Sequence, residues 1–257
     1  MFDYETHEWN RLVTESSFLK ADHHVHSTFS DGTGSLRENL AAARRAGLEA
    51  IGFVDHVREG TRWLPSYTAA VHRVASGSDI LVTCGVEAKI LDLDGRLDLP
   101  EDLSGVDRIV AADHQVPGSS GPIEPGIVRL ALRAGSLTAS QVIEDVVTGT
   151  EAAMRRRAGL LLAHLFSILP KVGLSEDDVS AQQIERLAGA AIRSSAVLEV
   201  SERWRCPSER VVDSFRDAGV EIVASSDAHE PTAIGRYDYV ARMSAAATGL
   251  TVARGAA

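Results

Sequence analysis

At 257 residues, with 24% charged, 44% apolar and 5% aromatic side chains, the chain has the make-up of a folded domain able to bury a large core without disulfides. A formal net charge of −10 repels phosphate backbones and argues against a stable nucleic-acid complex. No apolar run reaches bilayer length, no signal-peptide pattern opens the sequence, and two cysteines, Cys84 and Cys206, form no disulfide framework, so no membrane association and a reducing, cytoplasmic setting are expected.

Short apolar runs alternate with helix-patterned stretches. The first strand-like run is 18–25. Residues 35–46 carry Leu36, Leu40 and Ala43 at helical spacing and end before Gly47, a C-cap signal. Run 50–54 precedes a helical stretch at 66–75, then come runs 80–86 and 108–112. A long helical region covers about 124–157, and its part from 143 to 157 is long enough for a wall or lid over a site. Run 159–163, helix 181–192, run 196–200, helix 208–218 and run 220–224 follow, and a last helix begins near Tyr237. Seven such repeats favour a parallel α/β barrel, a TIM-like fold in a single domain over 1–257. An open doubly wound sheet is disfavoured because no glycine-rich dinucleotide loop follows the first run. Residues 1–17 are expected to cap the barrel as an N-terminal extension, and 243–257 to fray as an Ala/Gly-rich tail.

The histidines fall at strand ends. His24 and His26 close the first run, His56 the second, Glu87 the third, His114 the fourth and His164 the fifth, while Asp227 and His229 follow the seventh. A parallel barrel gathers all its strand C-termini on one face, so residues distant in sequence converge there. Six imidazoles with carboxylates in one place require a cation, and the donor types suit zinc, iron or manganese. His7, His23 and His72 lack this placement, and strict alternation turns His23 away from His24 and His26.

The ordered set Asp22-His23-His24-Val25-His26-Ser27-Thr28-Phe29-Ser30-Asp31-Gly32, Val54-Asp55-His56, Gly85-Val86-Glu87, Asp113-His114, Ala163-His164 and Ser226-Asp227-Ala228-His229 resembles the PHP (polymerase and histidinol phosphatase) family of metal-dependent phosphoesterases. The resemblance implies a distorted seven-stranded βα barrel with two to three divalent metals (Zn, Mn or Fe) at its C-terminal face. It implies one metal on His24, His26, Glu87 and Asp227, a second on Glu87, His114 and His164, and a third on Asp31, His56 and His229. It further implies hydrolysis by a metal-bridging hydroxide, with Asp227 handling a proton and His229 protonating the leaving group. Asp22, Asp55 and Asp113 are candidates to orient imidazoles or nearby backbone.

Cations on loops after the strands are candidate phosphate ligands: Arg203 and Arg205 first, then Arg58, Arg62, Lys89 and Arg236. Trp63, Tyr67 and Trp204 serve either to stack on a ring-bearing substrate or to pack loops. The leading expectation is a phosphatase acting on a small phosphomonoester, histidinol phosphate being one possibility by resemblance. The alternatives are a phosphodiesterase or exonuclease-like activity, since residues 85–98 resemble the domain attached to family X DNA polymerases, and a metal-stabilised binding domain without catalysis. The substrate, the native metals and the oligomeric state are left open by the sequence.

Overall fold

The computed structural model describes residues 15–249. A short helix α1 (Glu15–Phe18) leads into β1 (Ala21–Val25), followed by α2 (Leu36–Arg45), β2 (Ala50–His56), α3 (Leu64–Ala75) and β3 (Leu81–Lys89). Then come β4 (Arg108–Ala112), α4 (Pro125–Ala134), α5 (Ala139–Arg156), β5 (Leu161–Ala163) and α6 (Ile168–Val172). A 3-10 turn at Glu176–Asp178 precedes α7 (Ala181–Ser194), β6 (Val197–Ser201), α8 (Glu209–Asp217), β7 (Ile222–Ser225) and α9 (Tyr239–Thr248).

The seven strands pair in parallel in chain order, β1 to β7. A bridge between Val25 and Ala228 brings the sheet's two edges together. The result is a distorted βα barrel, as the seven runs anticipate. Inside it, Val54, Val110, Ala112, Leu161, Ala163, Val197 and Val223 form a small core. Two larger cores lie between strands and helices.

The helices begin where the sequence supplies reciprocal caps. Ser35 with Glu38, Thr138 with Gln141 and Ser180 with Gln183 each close a capping box on α2, α5 and α7. On α2 the buried residues Leu36, Leu40 and Ala43 form one stripe against the sheet. Truncating a leucine there, Leu40→Ala, costs about 2–5 kcal/mol.

Four details depart from the sequence reading. The helical region over 124–157 is two helices, because Gly135 adopts φ 69° and ends α4. Residues 143–157 form no lid: α5 buries Ile143, Val146, Val147 and Met154 in the core. α6 was not expected. Residues 243–248 do not fray, since Met243, Ser244 and Ala246 are buried on α9. The expected cap over 1–17 lies mostly outside the described residues, as does the tail beyond 249. Among the described residues no helix is long and apolar enough to cross a membrane.

Candidate metal centre

The strand ends deliver their side chains to Glu87, which lies within the buried run 84–88 of β3. Its two carboxylate oxygens face two different sets of imidazoles. Oε1 lies 3.0 Å from His114 Nε2 and 3.1 Å from His164 Nε2. Oε2 lies 2.8 Å from His56 Nδ1, 3.4 Å from His24 Nε2 and 3.5 Å from His26 Nε2. Asp227 Oδ1 stands 3.2 Å from His26 Nε2 and 3.5 Å from His229 Nδ1. Asp31 Oδ2 is 3.4 Å from His56 Nε2 and 3.3 Å from His229 Nε2. All nine expected ligands thus converge.

Among the described residues three compact groups emerge, each with donor atoms within 4.8 Å of one another: His26, Asp31, His56 and His229; His24, His26 and Glu87; His56, Glu87 and His114. The groups overlap at His26, His56 and Glu87. His164 and Asp227 fall outside them but touch Glu87 and His26.

The donor set fits divalent cations. Ligands held at ~2.1 Å around a tetrahedral ion stand ~3.4 Å apart, close to the spacings here. Imidazole nitrogens of His24 and His26 face each other at 3.1 Å, a pairing that two lone pairs accept only with a proton or a cation between them. His26 Nδ1 and Asp227 Oδ1 are buried without a hydrogen-bond partner. Orphans of this kind cost free energy unless a ligand satisfies them.

The electrostatics agree. Burial opposes charge on His24, yet Glu199, Glu87 and Asp227 raise its pKa well above the ordinary value. Burial likewise opposes charge on His164, but Asp113 and Glu87 push it up to about 10. His26 goes the other way, lowered by burial and by its neighbour His24. Against their own burial, Glu87 is held well below the carboxylate range by His24, His114 and His164, and Asp227 is lowered by His24 and His26. The centre therefore attracts cations, and in the metal-free chain protons take that place.

A second set of contacts aims these ligands. Glu199 on β6 is fully buried; its Oε2 lies 2.8 Å from His24 Nδ1 and its Oε1 accepts the His164 backbone N–H at 3.2 Å. With Nδ1 engaged, His24 turns Nε2 to the centre. Sequence reasoning missed Glu199, although a lone carboxylate inside the apolar run 196–200 was the available signal. Asp113 Oδ1 accepts from Ser167 Oγ at 2.8 Å, and that hydroxyl lies 2.9 Å from His164 Nδ1. Asp55 accepts from the backbone and hydroxyls of Ser27 and Ser30, fixing the loop that carries Asp31. Asp22 does the same for Ser226 and Gly235, on either side of His229. The three aspartates before the ligands thus orient the site, two through backbone and one through Ser167.

Trp204 Nε1 donates to Asp227 Oδ2 at 2.6 Å, and its ring centroid lies 5.5 Å from that of His164. Lys171 Nζ stands 4.1 Å from the same ring. Asp227 and His164 adopt φ 51° and 32°, a region that non-glycine residues occupy at a cost of about 1–3 kcal/mol. The hydrogen bonds just described hold them there.

Above the cluster a cavity of about 1020 Å³ opens, lined among others by Asp31, His56, Glu87 and His114 on one side and by Arg58, Arg62, Trp63 and Lys89 on another. Gln115 and Glu124, hydrogen-bonded to each other, supply the wall after β4. Arg203, Arg205 and Arg236 are exposed and outside this lining, the first two flanking Trp204. Tyr67 is buried and donates to Gly85 O at 2.8 Å, a packing role. His72 lies 2.8 Å from Gly105 O, away from the centre, and His7 lies outside the described residues.

Comparison with known proteins follows the same line. A family model described as PHP domain matches residues 22–202. A probable phosphatase of Caldanaerobacter subterraneus subsp. tengcongensis is 27% identical over 239 residues, covering 88% of this chain and 82% of the relative. A probable phosphatase of Caldicellulosiruptor bescii is 24% identical over 236 residues, covering 88% and 86%. The fold is similar to that of histidinol phosphate phosphatase from Lactococcus lactis, solved with zinc, L-histidinol and phosphate: TM-score 0.64, 18% identity, 89% of this chain and 92% of that one.

Proposed function

This chain belongs to the PHP family, and from that premise we propose that it is a metal-dependent phosphatase hydrolysing a small phosphomonoester, in the manner its similarity to a histidinol phosphate phosphatase suggests. The observation that carries the reading is Glu87, whose two oxygens address separate imidazole sets at the floor of a cavity walled by cations. His24, His26, Asp31, His56, Glu87, His114, His164, Asp227 and His229 would hold two to three divalent cations (zinc, manganese or iron). Such ions supply acidity to water and positive charge to phosphate oxygens.

The chain's own groups complete the chemistry. Lys89, two residues beyond Glu87 on the same strand, points into the same cavity and donates to the ester phosphate. Asp227 keeps Oδ1 free of hydrogen bonds while Trp204 occupies Oδ2, so Oδ1 is the atom available to a cation or a proton. His229, only partly buried beside Asp31 and Asp227, would either hold a cation or, left free of one, protonate the departing alcohol, one role excluding the other. Arg203, Arg205 and Arg236 are second-rank phosphate contacts. Both cysteines are free thiols, in keeping with a reducing, cytoplasmic setting.

The test compares p-nitrophenyl phosphate with bis-p-nitrophenyl phosphate, using metal-loaded protein and Asp227→Ala as the control. Faster turnover of the monoester, lost in the variant, is expected. Preference for the diester would move the reading to nucleotide or oligonucleotide chemistry. No turnover of either with metals bound would leave a binding domain.

A further inference from the structure

The cavity is far larger than one phosphate group, and its cations come from two walls, the end of β3 and the loop after β2. Lys89 is one strand step, about 6–7 Å, beyond Glu87. Its ammonium is balanced by Asp98, at 3.6 Å. Arg58 and Arg62 are exposed on the loop between β2 and α3, and among the described residues no ion pair engages either one. On a chain of net charge −10, two unpaired guanidinium groups on one cavity wall are surplus to the needs of the metal floor.

That second wall is a built structure. The Arg58 backbone N–H donates to Thr61 Oγ1 at 2.8 Å and Arg58 O accepts from Thr61 N at 2.9 Å, closing a turn that holds both arginines on one loop. Glu59 N ties the turn to Asp98 Oδ1 at 2.8 Å, and Val57 N ties its start to Glu87 O at 2.9 Å. Trp63 packs on Phe29 and Tyr67, with ring centroids 5.7 and 5.6 Å away, so its position beside the arginines is fixed. The carboxylate of Glu124 belongs to the β4–α4 wall, where Gln115 engages it.

We infer that Arg58 and Arg62 form a second anion subsite, and that the substrate is a phosphomonoester whose alcohol portion carries another anionic group, a carboxylate or a second phosphate. This deepens the phosphatase reading and rests on it. The ester phosphate sits over the metal floor with Lys89. The distal anion reaches the two guanidinium groups, whose planar donors match it bidentately. The intervening apolar part lies against Phe29 and Trp63.

The test uses phenyl phosphate and 4-carboxyphenyl phosphate, which share the reacting bond and the ring and differ by one anion. On the metal-loaded protein, kcat/KM for the carboxylated ester should be at least about 10-fold higher, in the range of charge-assisted contacts. Arg58→Ala/Arg62→Ala should erase that ratio by raising KM for the carboxylated ester, with kcat and metal content kept. Both arginines are exposed, so the variant folds. Equal kcat/KM for the two esters on the unaltered protein overturns the subsite alone, and so does an equal rise in KM for both in the variant, which would put the arginines on the ester phosphate. No hydrolysis of either ester overturns the phosphatase reading and the subsite with it.

Discussion

The two ends of the barrel are both polar, and one short run of sequence feeds them both. At the C-terminal end His24 joins Glu87, Glu199 and Asp227 and is raised well above its ordinary pKa. At the N-terminal end His23, its neighbour, lines a cavity of about 360 Å³ with Gly52, Thr83, Asp107, Arg108 and Glu221. There burial, helped by Arg108, lowers His23 to about 4, so it is neutral. The register of β1 against β2 shifts between Asp22 and Val25, which departs from the strict alternation assumed from the sequence. A Cβ on Gly52 would lie 2.6 Å from His23 O, so this close approach requires glycine. Charged groups of both signs line each end, but at the C-terminal end the buried cluster around Glu87 packs lone-pair donors that need a proton or a metal cation between them. Polar residues in a barrel are common; lone pairs aimed at one another are the mark of the site.

The largest test of that contrast is Glu87→Ala. It removes the one carboxylate that serves both imidazole sets, so it should cost more than the roughly 10–100-fold typical of losing a ligand's partner. Metal analysis should show two ions lost, against one for His114→Ala, whose imidazole belongs to a single donor group. Equal losses would deny Glu87 its bridging position.

Glu199→Gln comes next. It removes the charge behind His24 Nδ1 while keeping a similar shape, and should weaken metal binding about 10–100-fold in chelator competition. Unchanged affinity would make Glu199 a packing residue. Trp204→Phe keeps the ring against His164 and Lys171 but deletes the N–H to Asp227; a loss of about 10-fold in metal affinity is expected, the low end of that range. An affinity matching the unaltered chain would remove Trp204 from the ligand's support.

The effect of pH distinguishes protons from metals in the same site. In chelated protein His164 titrates near 10, above the ~6.5 of an unfolded chain. Its stabilising contribution is full below that lower value and is lost as pH rises through about 10. The melting temperature of chelated protein should fall from roughly pH 7 to 10, while that of metal-loaded protein should rise from roughly pH 5 to 7 as ligands shed protons. Parallel curves would contradict metal binding at these histidines. The smallest effect belongs to His23→Gln, which should leave metal content and turnover unchanged.

The fold was legible because apolar strand-like runs alternate with helix-patterned stretches, and eight of the nine candidate ligands close or follow such a run; Asp31, on the loop between β1 and α2, was legible only through the family resemblance. Glu199 was hidden because its role depends on facing His24 across the barrel, a relation between β1 and β6 that local pattern does not carry. Trp204 offers only a stacking or packing role by its place in the sequence, since nothing local reveals a hydrogen bond to Asp227 23 residues away. The stretch 143–157 suggested a lid by length alone, and packing in the core decided otherwise.

The most direct test of the central claim is metal content per chain, measured by mass spectrometry on protein loaded anaerobically with zinc, manganese or iron, beside Glu87→Ala. Two to three ions per chain, falling by two in the variant, are predicted. Less than one ion per chain in the unaltered protein would contradict a metal centre built around Glu87.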